Sequence, residues 1–274
     1  TTDYEQFGKN PPIPSIGLRI EGIPVSVEQR PIRAKYTLEA ERDLSAYFKM
    51  NIYETLTNFL VAHIAGEIDR RLIFEAFRSA YRYIPITLNN LIGAGSVINY
   101  QSIRDVLYTI ALQIQVAAND ILRFNKIAKG NWVVTSTTTG ALLEALSKTE
   151  AYVRDIDVTI PQASTLTPTK VGRVGDIDVY VDPMLPDGIF LIGTKVPNDI
   201  APFGGGVALL PYSLMPAHYD DLGKPVIAPD TFVRHIGFVS RDAIVTVPFG
   251  NYFYAVVEIT DIDRISDFLG NLVL

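Results

Sequence analysis

The chain has 274 residues, of which 48% are hydrophobic and 20% are charged, and this balance predicts an ordered globular protein. Its formal net charge of -6 disfavours a direct DNA-binding function, because the surface as a whole cannot hold many phosphates by charge. The sequence contains no cysteine, which excludes disulfides, thiolate metal sites and cysteine nucleophiles. No apolar stretch approaches the roughly 20 residues of a membrane-spanning helix, so we expect a soluble, unexported protein without a membrane partner.

The first 31 residues are predicted to form an extended arm followed by a β-ribbon. Five prolines fall in this segment, and proline lacks the backbone N–H that a helix needs, so a long helix is excluded here. We assign residues 1–15 to an N-terminal arm and residues 16–38 to an extended β-ribbon loop. Because such a segment has little core of its own, we expect it to pack on another subunit.

Two long amphipathic helices are predicted within residues 39–130. The first is a spine helix at 51–82, in which apolar residues recur mostly at three- and four-residue steps. His63 falls on the apolar face of this helix, where a hydrogen-bonded core histidine is favoured over a metal ligand. The second helix covers residues 101–129, and its predicted buried residues are Ile103, Val106, Leu107, Ile110, Ile114, Ala118, Ile121 and Leu122.

The rest of the chain is predicted to be mainly β. A buried strand at Trp132 and a third helix that starts near Ser136 are followed by short β-branched or aromatic runs bounded by Gly, Pro and Asp. Helices come first and strands later, which indicates an α+β fold and not a doubly wound one. We predict one unit at residues 131–232 and a set of returning strands at residues 233–274.

Three stretches, in this order, resemble the major capsid proteins of T-even-type contractile-tailed bacteriophages. The first runs from RPIRAKYTLEAERDL into NFLVAHIAGEIDRRLIFEAF, and the second is GNWVVTSTTTGALLEAL. The third begins at VGDIDVYVDPMLPDGIFLIGTK and ends at HIGFVSRDAIVTVPFG, although the chain is shorter than those proteins and lacks their inserted domain. Within it, the matching residues are Tyr180, Asp182, Pro183, Gly193, Lys195, Pro211, Tyr212, Gly237, Phe238 and Arg241.

The resemblance implies the Hong Kong 97-type capsid fold, with the arm and extended loop, a peripheral domain at 39–130, an apical domain at 131–232, and strands at 233–274 that return to the peripheral domain. It implies a structural protein, not an enzyme, that self-assembles as hexamers and pentamers into an icosahedral shell around phage DNA. The protein would assemble in the host cytoplasm and would be part of the capsid of the virion. Scaffold, portal and decoration proteins are further expected partners, and packaged DNA would be contacted non-specifically at most. An encapsulin-type compartment, which shares the fold but houses enzyme cargo, is the alternative.

Pairs of aspartates two residues apart are the strongest chemical pattern in the chain. On a strand this spacing places both carboxylates on one face, as paired acid/base or cation sites require. Alternation of Asp with Ile or Val is also typical of a half-solvated strand, and this is the interpretation that we favour. An α+β enzyme that uses such a pair is the remaining hypothesis. The pairs are Asp155 and Asp157, Asp176 and Asp178, and Asp261 and Asp263.

No catalytic, cofactor or metal site is predicted. The three histidines, His63, His218 and His235, are far apart in the sequence, and no serine stands in a nucleophile-elbow motif. A run of three glycines could cradle a phosphate, but the Lys-Ser/Thr pair of a Walker-type loop does not follow it. We therefore predict that this run, Gly204, Gly205 and Gly206, is a flexible loop of the apical domain.

Contacts between subunits are predicted where a basic group and an acidic group adjoin in the sequence. The group could be a solvated mixture of charges or a set of ion pairs between subunits. Exposed pairs contribute only about 0–1 kcal/mol each, so repeated pairing would orient subunits more than it would stabilise them. The candidate contact residues are Arg30, Arg33, Lys35, Glu39 and Glu41.

Overall fold

Residue 22 and residues 24–87, 100–144, 152–154, 168–197, 205–217 and 233–260 are described by the structure, a computed structural model. Several sequence predictions fall on other parts of the chain. The N-terminal arm, the first part of the extended loop, Asp155, Asp157, Gly204, His218, Asp261 and Asp263 lie outside the described residues.

The helices begin where polar side chains cap free backbone N–H groups. Helix α1 is Leu38–Phe48 and helix α2 is Ile52–Ser79. The Thr37 side chain accepts a hydrogen bond from the Ala40 N–H at 3.2 Å. The Asn51 side chain accepts bonds from the first turn of α2, at 3.1 and 3.4 Å. The long helix predicted at 51–82 is thus present, and it ends three residues early because strand β2 begins at Arg82.

Two further helices follow, α3 at Tyr100–Asn125 and α4 at Thr137–Glu144. The prediction extended α3 to residue 129, but the Asn125 side chain ends it earlier. Its amide oxygen accepts hydrogen bonds from the N–H groups of Ile127 and Ala128, at 2.9 and 3.2 Å, and Lys126 turns into the left-handed region with φ of 56°. A local side-chain bond therefore stops the helix before Gly130.

The strands of the described residues form two sheets. Their bounds are β1 Glu28–Thr37, β2 Arg82–Thr87, β3 Trp132–Thr135, β4 Tyr152–Arg154, β5 Thr169–Val174, β6 Ile177–Val181, β7 Ile189–Gly193, β8 Val207–Ala217, β9 Val233–Thr246 and β10 Tyr254–Thr260. A three-stranded antiparallel sheet has the order β1-β9-β8, and a seven-stranded mixed sheet has the order β2-β10-β7-β3-β6-β5-β4.

The three-stranded sheet has a small core against the first half of α2. This core is an apolar cluster whose buried members are Tyr36 on β1, Leu60 on α2 and Ile236 on β9. Strand β1 alternates, with every second side chain turned toward α2. Both outer strands carry prolines, Pro31 on β1 and Pro211 on β8, which limits pairing along their open edges.

The seven-stranded sheet holds the main core and is covered on both faces. Helices α3 and α4 pack on one face, where Ile114 and Leu143 meet strand residues such as Ile192. The last turns of α2 cover the other face, where Ala76 packs near Leu191. Leu191 and Ile192 are neighbours on β7 and point to opposite faces of the sheet, so they belong to different core clusters. Helix α2 therefore joins the two sheets.

The predicted α+β class is confirmed. The domain boundaries stay a prediction, and the two sheets do not follow them. Helix α3 falls in the predicted segment 39–130, yet it packs on the seven-stranded sheet. Strand β8 falls in the segment 131–232, yet it pairs with β9 in the three-stranded sheet. Strand β10, expected to return to the peripheral domain, lies inside the seven-stranded sheet, between β2 and β7. The order of elements along a chain does not reveal which distant strands pair.

Candidate functional site

Arg30 lies inside the chain and not on an exposed contact surface. Its position on β1 points it toward α2, and its Nη2 donates to the Asp242 carboxylate at 2.9 Å. Asp242 is 2% exposed and also accepts a bond from the Ser240 hydroxyl at 3.2 Å. A buried carboxylate requires a partner, and Arg30 supplies it. Within its own chain Arg30 is therefore an ion-pair partner of Asp242, and its contact with another subunit stays a prediction.

Glu41 is also engaged within the chain, whereas the other three candidates face outward. The Glu41 carboxylate pairs with Arg234 on β9 at 2.8 Å, which ties α1 to the three-stranded sheet. Arg33 and Lys35 lie on the face of β1 opposite Arg30 and are exposed, as is Glu39. With the described residues, these three form no ion pair. The period-two geometry of a strand thus separates Arg33 and Lys35 from Arg30.

Gly205 and Gly206 lie against the segment that precedes β10. Gly206 is buried with φ of +74°, and a Cβ built on it would overlap the backbone of Gly250. The Tyr254 hydroxyl donates to the Gly205 carbonyl and accepts from the Val207 N–H at 3.0 Å. Burial raises the pKa of Tyr254 to about 12. Close backbone packing and the left-handed turn account for the glycine at position 206; the role of the run as an apical loop stays a prediction.

The prediction for His63 is wrong. His63 is exposed, and its ring stacks on Phe59 with centroids 6.5 Å apart. The buried positions of this part of α2 are Leu60 and Ile64, one step of four residues apart. The three-stranded sheet is narrow and covers only that stripe, so His63, about 100° around the helix from Ile64, stays in solvent. Among the described residues, no group of three or more His, Asp or Glu side chains is placed to hold a metal ion.

The aspartate pair at residues 176 and 178 does not form a joint acid/base site. Asp176 lies in the turn between β5 and β6 and pairs with Lys129 at 2.9 Å, and that hydrogen bond lowers its pKa. Asp178 lies on β6 between two cations: burial acts to raise its pKa, but hydrogen bonds from Arg173 and Lys170 lower it overall. Each carboxylate has its own basic partners, which supports the interpretation as a solvated strand.

A groove that the sequence did not suggest runs between α2 and the segment 182–189. It has a volume of about 310 Å³ and is mostly apolar, with Phe74 and Met184 63% and 58% exposed at its mouth. The Nε and Nη2 atoms of Arg70 are buried there without a hydrogen-bond partner among the described residues. Burial, together with the nearby charge of Asp182, raises the pKa of Asp69. Buried guanidinium N–H groups of this kind need an acceptor, which another chain could supply.

A second groove lies on the other side of α2, against β8. It has a volume of about 290 Å³, and its lining includes Val61 and Ala65 of α2 and Leu209 and Leu214 of β8. The ladder between β8 and β9 shifts register here, between Pro211 and Ser213. Helix α2 therefore offers apolar surface on two sides. No helix in the described ranges is long and apolar enough to cross a membrane.

The sequence matches the profile of a protein family described as Major capsid protein Gp23 over residues 1–273. Relatives described as major capsid proteins occur in Enterobacteria phages T6 and T4, each 24% identical over 246 residues that cover 85% of this chain. The matched region is 47% of the T6 protein and 45% of the T4 protein, so the chain spans about half the length of these relatives.

Solved phage structures show a remote similarity. A chain of the satellite phage P4 procapsid that includes the size determination (Sid) protein matches with a TM-score of 0.49 and 10% identity, over 95% of this chain and 78% of that chain. A chain of Microbacterium phage Oxtober96 matches with a TM-score of 0.47 and 12% identity, over 86% of this chain and 73% of that chain.

Proposed function

The chain belongs to the family of Major capsid protein Gp23, and on that premise we propose that many copies of it associate into the icosahedral shell of a bacteriophage. The family match over residues 1–273 carries this proposal, and it confirms the resemblance to T-even-type capsid proteins. The same match favours a phage capsid over the encapsulin-type alternative. The family is one of structural proteins, so we expect the function to lie in assembly and not in catalysis.

The exposed apolar surface of α2 supports a role in assembly. Phe59 and Phe74 are 62% and 63% exposed, and Phe74 lines the groove beside Arg70. A single chain that leaves such side chains in water has apolar area available for a partner. Subunits packed around α2 would cover both grooves and bring acceptors to the N–H groups of Arg70.

The parts of the chain can be assigned to roles in a Hong Kong 97-type subunit. We assign the three-stranded sheet and the first half of α2 to the peripheral domain. The seven-stranded sheet with α3 and α4 is assigned to the apical domain, which moves the boundaries from those of the sequence prediction. The arm at 1–15 and the part of the extended loop that precedes β1, residues 16–27, would reach neighbouring subunits, since β1 pairs with β9 of its own chain.

The proposed partners are other copies of the chain, in hexamers and pentamers. Scaffold, portal and decoration proteins are further proposed partners, and assembly would take place in the host cytoplasm. A net charge of -6 is suited to a container whose wall touches packaged DNA non-specifically at most.

The test of this function is self-association of the purified chain. We expect negative-stain electron microscopy and light scattering to show capsomers or closed shells, together with the scaffold protein where one is required. A chain that remains strictly monomeric under all of these conditions contradicts the proposal.

Arg33, Lys35 and Glu39 are the predicted contact residues that still face outward, and they are proposed to meet opposite charges on a neighbouring subunit. Lys35→Glu is expected to lower the fraction of chain found in particles severalfold at low salt, and less at high salt, because salt screens such pairs. Lys195→Glu is the matched control, since Lys195 is also exposed and forms no ion pair with the described residues. If the two variants assemble equally well, Lys35 is not part of the interface between subunits.

A further inference from the structure

Helix α1 ends in an aromatic tip that is not covered by any described residue. Tyr47, Phe48 and Met50 are 80%, 68% and 47% exposed. No residue of α1 is buried, although the Thr37 cap and the Glu41–Arg234 pair hold the helix in place. Large apolar side chains grouped at the surface of a soluble protein commonly mark an interaction site. The tip of α1 has the composition of a docking element.

A second aromatic surface lies just beyond the end of α2. Tyr81 contacts the rings of Phe124 and Tyr252, with both centroid distances at 4.8 Å, and Phe249 stacks on Tyr252 at 6.4 Å. These four residues form the aromatic cluster. Phe249 is 76% exposed and Tyr81 is 49% exposed. The cluster is thus a preformed surface of packed rings whose outer side is open.

Phe249 is held in an unfavourable backbone conformation. Its φ and ψ are 63° and 6°, in the left-handed region that bulky residues rarely adopt. The close backbone packing of this turn is made by the next residue, Gly250, on Gly206. It does not depend on the side chain at position 249. An exposed phenylalanine in such a conformation gains little within its own chain. Conformations of this kind persist chiefly where the side chain has a function.

The two surfaces stand at opposite ends of α2 and so cannot meet within one chain. The tip of α1 adjoins the start of α2 through Lys49–Asn51, and Tyr81 follows the end of α2 by two residues. The 28 residues of α2 span about 42 Å at 1.5 Å per residue. A contact between the tip and the cluster therefore needs two copies of the chain, arranged head to tail.

Charge favours contact of the α1 tip with the aromatic cluster over contact between two tips or between two clusters. Glu39, Asp43 and Tyr47 recur every four residues and form one exposed stripe of α1. Among the described residues, Arg82 has an acidic partner, Asp120 at 3.5 Å, and the other basic residues beside the cluster have none. Facing charges of opposite sign orient two subunits during association. The basic residues that border the cluster along the chain, all of them exposed, are Arg78, Arg82, Arg123 and Lys126.

We propose that Tyr47 and Phe48 of one copy dock on the aromatic cluster of the next copy, with the acidic stripe of α1 beside the basic border. This inference rests on the proposed function and names the surfaces that the copies share. Each chain offers one tip and one cluster, so the contact is heterologous. Repetition of a heterologous contact with the right rotation closes a ring, as a capsomer requires.

Crosslinking of engineered cysteines tests this contact, because the native chain has none. The variant Tyr47→Cys/Phe249→Cys, assembled into particles and treated with a short bismaleimide, is expected to give a ladder of covalent oligomers up to the ring size. The single variants give at most a covalent dimer. The control Tyr47→Cys/Tyr108→Cys places the second cysteine on another exposed tyrosine, 59% exposed on α3, and is expected to give at least about tenfold less crosslinked product.

The outcomes separate this inference from the proposed function. Particles that form normally but give no ladder above the control overturn the docking contact and leave shell assembly intact. Absence of particles from the unmodified chain overturns the proposed function. If only the double variant fails to assemble, unmodified particles are tested by photo-oxidative dityrosine crosslinking and peptide mapping. A link between Tyr47 and Tyr81 or Tyr252 of another chain is then expected, and its absence while other tyrosines crosslink contradicts the inference.

Discussion

At the scale of single residues, close backbone approach governs the junction between β8 and β10. Gly206 and Gly250 touch through their backbones, and Tyr254 holds the adjoining turn through the Gly205 carbonyl. A side chain at either of the two touching positions would have to displace backbone, which cannot yield as the end of a flexible side chain can. The third glycine, Gly205, has open space instead, since a Cβ there would meet only the Val207 carbonyl at 3.8 Å.

Alanine substitutions should separate these three glycines. We expect Gly206→Ala and Gly250→Ala each to lower the free energy of unfolding by about 2 kcal/mol or more, from steric overlap and, at Gly206, from its positive φ. Gly205→Ala is the matched control and should change it by less than about 0.5 kcal/mol. Urea unfolding of the dissociated subunit measures all three. Equal losses at the three positions would show that close packing is not the reason for the glycines.

At the scale of elements, the β5–β6 hairpin depends on charge as well as on its turn. Strands β5 and β6 are joined by Gly175 and Asp176, and Gly175 has φ of 64°, as tight hairpin turns require. Asp178 on β6 faces Lys170 and Arg173 on β5, at 3.1 and 2.6 Å. The carboxylate is 25% exposed, so its ion pairs are only partly screened by solvent.

Acid should weaken this hairpin. Because the folded pKa of Asp178 lies below the ordinary value of 3.8, its contribution is present above that value and is lost as the pH falls through the folded pKa. At pH 7, Asp178→Asn should lower the free energy of unfolding by about 1 kcal/mol, and the difference from the native chain should narrow below pH 3.8. Asp176→Asn, at a side chain 68% exposed, should have a smaller effect. Urea midpoints at pH 7 and pH 3 test this, and a deficit that grows on acidification would contradict it.

At the scale of the whole molecule, the two sheets have very unequal cores. The seven-stranded sheet is buried on both faces by α2, α3 and α4. The core cluster beside the three-stranded sheet consists of three buried side chains, Tyr36 and Ile236 of the sheet and Leu60 of α2, and both outer strands of the sheet have an open edge in the described part of the chain. Local opening costs less free energy where little apolar area is buried. The small sheet is therefore the part that gains most from neighbouring subunits.

Hydrogen exchange should reveal this difference. In dissociated subunits, amides of β1 and β8 should exchange at least about tenfold faster than those of β7 and β10. On assembly, β1 and β8 should slow the most, because contacts between copies cover them, whereas β7 is already enclosed. Mass spectrometry of peptides from subunits and particles measures both effects. Uniform protection of the two sheets in free subunits would show that their stabilities do not differ.

Local patterns accounted for much of the fold. The start of α2 at the Asn51 cap depends on a side chain and the backbone N–H groups one turn away, and such short-range bonds can be read from sequence. The buried face of α3 was predicted nearly correctly for the residues whose side chains are described. The exception is Leu122, which is 42% exposed, while Ala117 is fully buried. Periodicity identifies a stripe, but the width of the facing sheet decides its edges.

The surroundings of the candidate contact residues could not be predicted from local pattern, for the same kind of reason. Arg30, Arg33 and Lys35 look alike in sequence, but the pairing of β1 with β9 places Asp242 beside Arg30 and leaves the other two in solvent. The groove around Arg70 needs the segment 182–189, more than a hundred residues away, and no local pattern connects the two.

By itself, the sequence determined the α+β class, the long helix α2 and the capsid family, because caps, periodicity and ordered motifs are properties of neighbouring residues. Only the tertiary structure decided which strands share a sheet, which charges are satisfied internally and which aromatic surfaces remain open at the two ends of α2. Those features depend on pairs of residues far apart along the chain, brought together by burial of apolar surface, and one-dimensional spacing carries no record of them.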